Sequence, residues 1–163
     1  RDTADAVVAR PTGATLGFVG ALPFQSQADS RFDKTSDGKV SAWGYYCKGV
    51  IGMGRGDDEN SANSELFVMR APHPHLNARY TAFGRVVAGQ GAIDALAVGE
   101  PPAAPDRLLR VRLMADLPHA ERPRLELMNP RSDAFARRVE AIRARRGADF
   151  SVCDVEVPSR PAR

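Results

Sequence analysis

Hydrophobic and polar positions change in short runs along most of the chain, and the character of the pattern shifts once, near Leu117. "VVARPTGATLGFV" predicts two short strands around a Pro11-Thr12-Gly13 turn. Residues 25–41 are polar and punctuated, with a turn signal at Asp37-Gly38, and predict a loop. "WGYYCKGVIGM" is rich in aromatic and β-branched residues and predicts one strand. A short strand follows over residues 66–69, and "RAPHPHLNAR" then carries two prolines that forbid regular structure. "YTAFGRVVAG" is strand-like. "GQGAIDALAVGE" places Ile93, Leu96 and Ala97 at helical spacing. "RLLRVRLMADL" alternates, with Leu109, Val111 and Leu113 apolar, and predicts a half-buried strand.

Beyond Leu117, Pro118 and Pro123 mark a linker. "SDAFARRVEAIRARRG" predicts a helix, capped by Ser132, ended by Gly147, with Phe135, Val139 and Ile142 as its apolar stripe. "FSVCDVEVPSR" alternates and predicts a terminal strand. The expected organisation is therefore a mainly β domain over residues 1–117 and an extension over 118–163, packed on or beside it.

Length and charge narrow the picture modestly. The 163 residues suit one domain or a domain with an appendage. A net charge of +3 dictates no partner by itself. No apolar run approaches the length of a membrane span. The chain opens on Arg1 rather than Met, which suggests that something was removed and leans toward an exported, periplasmic protein. Cys47 and Cys153 fit no zinc or thioredoxin spacing. Ordinary buried thiols are the expectation, and a disulfide forms only if the fold brings the two together.

One stretch, "GVIGMGRGDDENSANSELFVM", sets a run of small polar residues between two apolar runs. Together with "HLNARYTAFGRVVAGQGAIDAL", it resembles the signature half of the cyclophilins, the cyclosporin-binding peptidyl-prolyl isomerases. The resemblance covers residues 46–117. It implies a closed antiparallel β-barrel of eight strands capped by two helices. It also implies a shallow groove for an extended peptide, kept open by the small residues, beside an apolar pocket for proline. Proline-containing peptides and unfolded proteins are the partners it implies, with cyclosporin-like ligands as a further possibility. No cofactor is implied.

The chemistry of such a site is rotation about an Xaa-Pro bond. Its barrier, about 18–20 kcal/mol, comes from amide resonance. A catalyst must bind the twisted amide better than the planar one. An apolar pocket grips the ring, and an oriented donor reaches the prolyl nitrogen as its lone pair localises. Position by position, the resemblance makes Phe67 the aromatic floor and Leu76 the apolar wall of the pocket. Tyr80 falls where relatives carry His or Tyr, His75 falls where a Trp or Phe is common, and Gly54 and Arg55 fall on a pair whose backbone meets substrate. Ala62 and Asn63 lie in the small-residue loop, and Glu65 stands where Gln is usual. "GFVGALPF" would give Phe18 and Val19 pocket positions, with Ala21 in place of a Gln. The family's catalytic Phe-x-Arg is not found in these residues, and the expectation is a barrel that is N-terminally incomplete, the chain beginning just after that strand and without the first strands and first helix. Arg10 and Arg55 are the internal candidates for its role. The alternative is a module that binds proline peptides without turning them over.

Other signals are weaker. Arg55–Asp57 spell RGD, a tripeptide that arises by chance. Asp57, Asp58 and Glu59 lack the spacing of a calcium loop. His73 and His75 have no third ligand spaced to join them. The terminal helix is basic enough to touch nucleic acid or anionic lipid. It lacks the aromatic interleaving of a stacking platform, and a solvated helix face is the expectation, with no nucleic acid or membrane as partner.

Overall fold

The computed structural model describes residues 6–9, 14–28 and 41–162. Arg10 and the two turns expected at Pro11-Thr12-Gly13 and Asp37-Gly38 lie outside the described residues. Every strand pairing among the described residues is antiparallel. Strands β1 (Ala6–Ala9), β2 (Ala14–Val19), β3 (Leu22–Ala28) and β4 (Ala42–Gly44) form one sheet in that order. Strands β5 (Val50–Met53), β6 (Leu66–Val68) and β7 (Ala82–Arg85) form a second, in the order β6-β5-β7. A short helix α1 (Gln90–Asp94) follows β7. The chain beyond residue 117 contributes β8 (Leu125–Leu127), helix α2 (Asp133–Arg146) and β9 (Ser159–Pro161), with β8 and β9 paired as a third sheet.

Several expectations change. The loop expected over 25–41 gives up residues 25–28 to β3, whose backbone pairs with both β2 and β4. The single strand expected over 43–53 breaks into β4 and β5. Gly49 sits at φ +80°, and Val50 N–H turns back to the Cys47 carbonyl, so the ladder cannot run through. The half-buried strand expected around Leu109, Val111 and Leu113 does not form. Its apolar side chains stand exposed, and among the described residues no strand pairs with it. The strand expected from "FSVCDVEVPSR" becomes a tight 3-10 turn over Val152–Asp154, with only Ser159–Pro161 in a sheet. Ser151 and Asp154 cap that turn reciprocally, a local arrangement that competes with strand pairing. The closed eight-stranded barrel is not what the described sheets form; they are four-, three- and two-stranded.

Helix α2 forms as its sequence dictates. The Ser132 hydroxyl accepts a hydrogen bond from the Phe135 amide, and the Gly147 amide closes the far end on the Arg143 carbonyl. The stripe of Phe135, Val139 and Ile142 is buried. It joins Leu16, Phe18, Tyr46, Cys47, Val50, Met69, Val152 and Val155 in one hydrophobic core. Phe135 meets Phe18 edge to face at 5.3 Å between ring centroids.

Cys47 and Cys153, expected as free thiols, form a disulfide across 106 residues. The core decides this: it packs β5 and its approach against the turn after α2, leaving the two Cα atoms 5.0 Å apart. Nearby, the largely buried guanidinium of Arg85 donates to the Val155 carbonyl and to Glu156. Burial lowers its pKa below the usual value, and Glu156 opposes that shift.

Candidate functional site

Phe67 is the centre of the candidate site. Strand β6 carries it, half-buried, opposite Gly52 of β5. A side chain at Gly52 would lie 2.5 Å from both the Phe67 ring and the Tyr46 hydroxyl. Glycine there lets the two aromatics stack, with centroids 5.6 Å apart and planes 23° from parallel. Tyr80 closes the other side edge-on, 5.9 Å from Phe67. Leu76 is half-buried and packs against the same core.

The 73–80 segment is fixed to this floor from below. The Tyr46 amide donates to Asn77 Oδ1 at 2.9 Å, and the Tyr46 carbonyl accepts from His73 N–H at 2.8 Å. Tyr46 itself is fully buried, and its hydroxyl has no hydrogen-bond partner among the described residues. Burial, with a smaller contribution from Tyr80, pushes its pKa up to about 12, so the phenol stays neutral.

Arg55 lies over the Tyr80 ring, its guanidinium carbon 4.7 Å from the centroid. Nε and Nη2 donate to the Arg79 carbonyl, and Nη1 donates to the carbonyls of Gly56 and Asp57. The guanidinium therefore pins the loop after β5 to the 76–80 turn. Gly54 N–H donates to the Glu65 carbonyl at 2.9 Å, which closes the base of the small-residue loop. Inside the loop, Gly56 N–H donates to Ser61 Oγ and Asn60 N–H to Asp58 Oδ1. Ala62, Asn63 and Glu65 are exposed along it.

The structure thus brings together Gly54, Arg55, Glu65, Phe67, Leu76 and Tyr80. His75 is exposed beside Leu76, stacked edge-on with His73 at 5.6 Å. No group of metal-binding side chains is found among the described residues. Phe18 requires correction: it is fully buried against Phe135 and offers a peptide no surface. Val19, the next residue, is exposed. Sequence reasoning missed Tyr46 and Asn77. Their roles arise from contacts across 21 and 31 positions, which no local pattern encodes.

Comparison with known proteins identifies the frame. The family model "Cyclophilin type peptidyl-prolyl cis-trans isomerase/CLD" matches residues 20–113, more than half of the chain. The chain belongs to the cyclophilin family. A solved cyclophilin, AquaCyp293 from Hirschia baltica, superposes with a TM-score of 0.80 at 28% identity, over 94% of this chain and 59% of that one. A probable peptidyl-prolyl cis-trans isomerase of Brucella abortus is 36% identical over 76 residues, 44% of this chain and 39% of that protein. An isomerase of Arabidopsis thaliana, CYP18-1, is 30% identical over 99 residues, 50% of this chain and 61% of that protein. This cyclophilin chain therefore spans about two-fifths of the Brucella relative and three-fifths of the plant one.

Proposed function

We propose that this cyclophilin chain accelerates cis/trans rotation about Xaa-Pro bonds in peptides and unfolded proteins. The observation that carries the reading is the aromatic floor, Phe67 set between Tyr46 and Tyr80, with a fixed guanidinium over its edge. The prolyl ring rests on Phe67 against Leu76, and the peptide backbone follows Gly54 and the small residues Ala62 and Asn63. A guanidinium has five N–H donors. Arg55 makes four hydrogen bonds to backbone carbonyls, and the remaining Nη2 hydrogen is the donor offered to the prolyl nitrogen as the amide twists. No cofactor or nucleophile enters, because no bond breaks. We read the two larger sheets as walls of the family's barrel, and residues 118–163 as an extension that shares its core. The Cys47–Cys153 disulfide supports an oxidising compartment such as the periplasm, where such bonds persist.

A second reading, binding without catalysis, draws on the same geometry. A guanidinium held by four carbonyl contacts follows a moving nitrogen poorly. Exchange NMR on an Ala-Pro peptide separates the two. Catalysis predicts faster cis/trans exchange that falls on the order of 10²-fold in Arg55→Ala while peptide shifts persist. Phe67→Ala should remove both. Peptide shifts without acceleration would establish the binding module, and neither effect would sink both readings.

A further inference from the structure

The turn that carries the pocket wall is held in a conformation that its own sequence resists. Ala78 sits at φ +60°, and among the described residues no other residue with a Cβ has a positive φ. A side chain in that region crowds the neighbouring backbone, and such a conformation persists where the surroundings over-determine it. The hydrogen bonds inside the turn are local. Leu76 N–H donates to the His73 carbonyl, Asn77 N–H to that of Pro74, and the amides of Arg79 and Tyr80 to that of Leu76. They shape the turn, but they do not set where it lies relative to Phe67.

That placement falls to contacts that leave the turn. His73 N–H donates to the Tyr46 carbonyl, Arg55 donates to the Arg79 carbonyl, and Asn77 Oδ1 accepts from Tyr46 N–H at 2.9 Å. The Asn77 contact is made by the residue that sits directly between Leu76 and the strained Ala78. Its other end is firmly anchored. Tyr46 is fully buried, its ring stacks on Phe67, and the next residue, Cys47, is bonded to Cys153. The oxygen is the atom that counts, because Asn77 Nδ2 makes no hydrogen bond among the described residues. A carboxylate oxygen in the same place would accept the same bond. A side chain without an acceptor would leave the Tyr46 N–H unpaired in a part-buried position.

We infer that Asn77 is a positioning residue. Through Oδ1 it sets the wall, Leu76 and Tyr80, against the floor, Phe67, and so fixes the width of the proline pocket. It touches no substrate itself. This role rests on the proposed isomerase function, in which the prolyl ring lies between Phe67 and Leu76. The effect falls on the grip of the ring. The Arg55 guanidinium has further contacts of its own, to the carbonyls of Gly56 and Asp57. Loss of the Asn77 contact should therefore weaken peptide affinity and raise KM more than it slows exchange at saturation.

Exchange NMR over a range of Ala-Pro peptide concentrations separates the two quantities. Asn77→Ala should weaken peptide affinity about ten-fold and leave the saturated exchange rate within about three-fold of the unaltered chain. Asn77→Asp should bind within about three-fold of the unaltered chain, because the acceptor is restored. The Tyr46 amide reports the bond directly: its hydrogen exchange should quicken about ten-fold in Asn77→Ala and stay slow in Asn77→Asp. If Asn77→Ala does not fold, the same pair of substitutions is compared in an Ala78→Gly background, where glycine adopts the left-handed conformation without steric cost. Equal losses in the two Asn77 variants, a loss confined to the saturated rate, or unchanged affinity in Asn77→Ala would each overturn the inference while the isomerase reading stands. An unaltered chain that neither shifts nor accelerates the peptide would overturn that reading, and this role with it.

Discussion

Two apolar-patterned segments of this molecule have opposite fates. In α2, Phe135, Val139 and Ile142 fall on one helical face and vanish into the core. In residues 107–113, Leu109, Val111 and Leu113 alternate as cleanly, yet they face solvent. The difference lies in what each element can satisfy by itself. A helix closes its backbone hydrogen bonds internally and needs only a surface to lie on. A strand needs a neighbour for its backbone before burial of its side chains helps. Pattern therefore predicted the helix as an element and the strand only as a requirement.

That contrast can be broken most sharply from the helix. Phe135→Ala should cost about 3–5 kcal/mol of unfolding free energy, because it opens a cavity against Phe18. Urea denaturation would measure it, and a loss under 1 kcal/mol would mean that α2 is only loosely docked. Reduction of the Cys47–Cys153 bond by a dithiol, or Cys153→Ser, should cost somewhat less, about 2–4 kcal/mol, through release of a loop that spans 106 residues. The same titration, run with and without reductant, checks it. Val111→Ser should change stability by no more than about 0.5 kcal/mol, since the side chain touches little. A larger loss in the isolated chain would show that this segment is already covered in solution.

What could be read from the sequence follows the same division. Local signals held for the Ser132 cap, the Gly147 stop and the small-residue loop, which depend on neighbours within a few positions; the 70–79 segment, expected to be irregular, instead makes a short 3-10 turn over Pro74–Leu76, where Pro74 at its first position needs no amide donor. Phe67, Leu76 and Tyr80 were identified through family resemblance, and the structure brings them together. Distant contacts were not legible. Nothing near Cys47 announces Cys153, and nothing near Tyr46 announces that Asn77 will hold its amide and Phe67 will stack on its ring. Phe18 shows the limit of motif matching. Its neighbourhood resembles a pocket strand, but Phe135, which arrives more than a hundred residues later, takes its surface.

The shared core also sets an order of events during synthesis. A nascent chain released as far as residue 117 already contains Phe67, Tyr80 and Arg55. It still lacks Phe135, Val152 and Val155, members of the core against which Phe67 and Tyr80 pack, and Cys153, the partner that Cys47 needs. The candidate groove can be covalently secured only after Cys153 has emerged and met an oxidant. A protein whose proposed work is on the folding of others would thus leave its own core unfinished until the segment after α2 has been made.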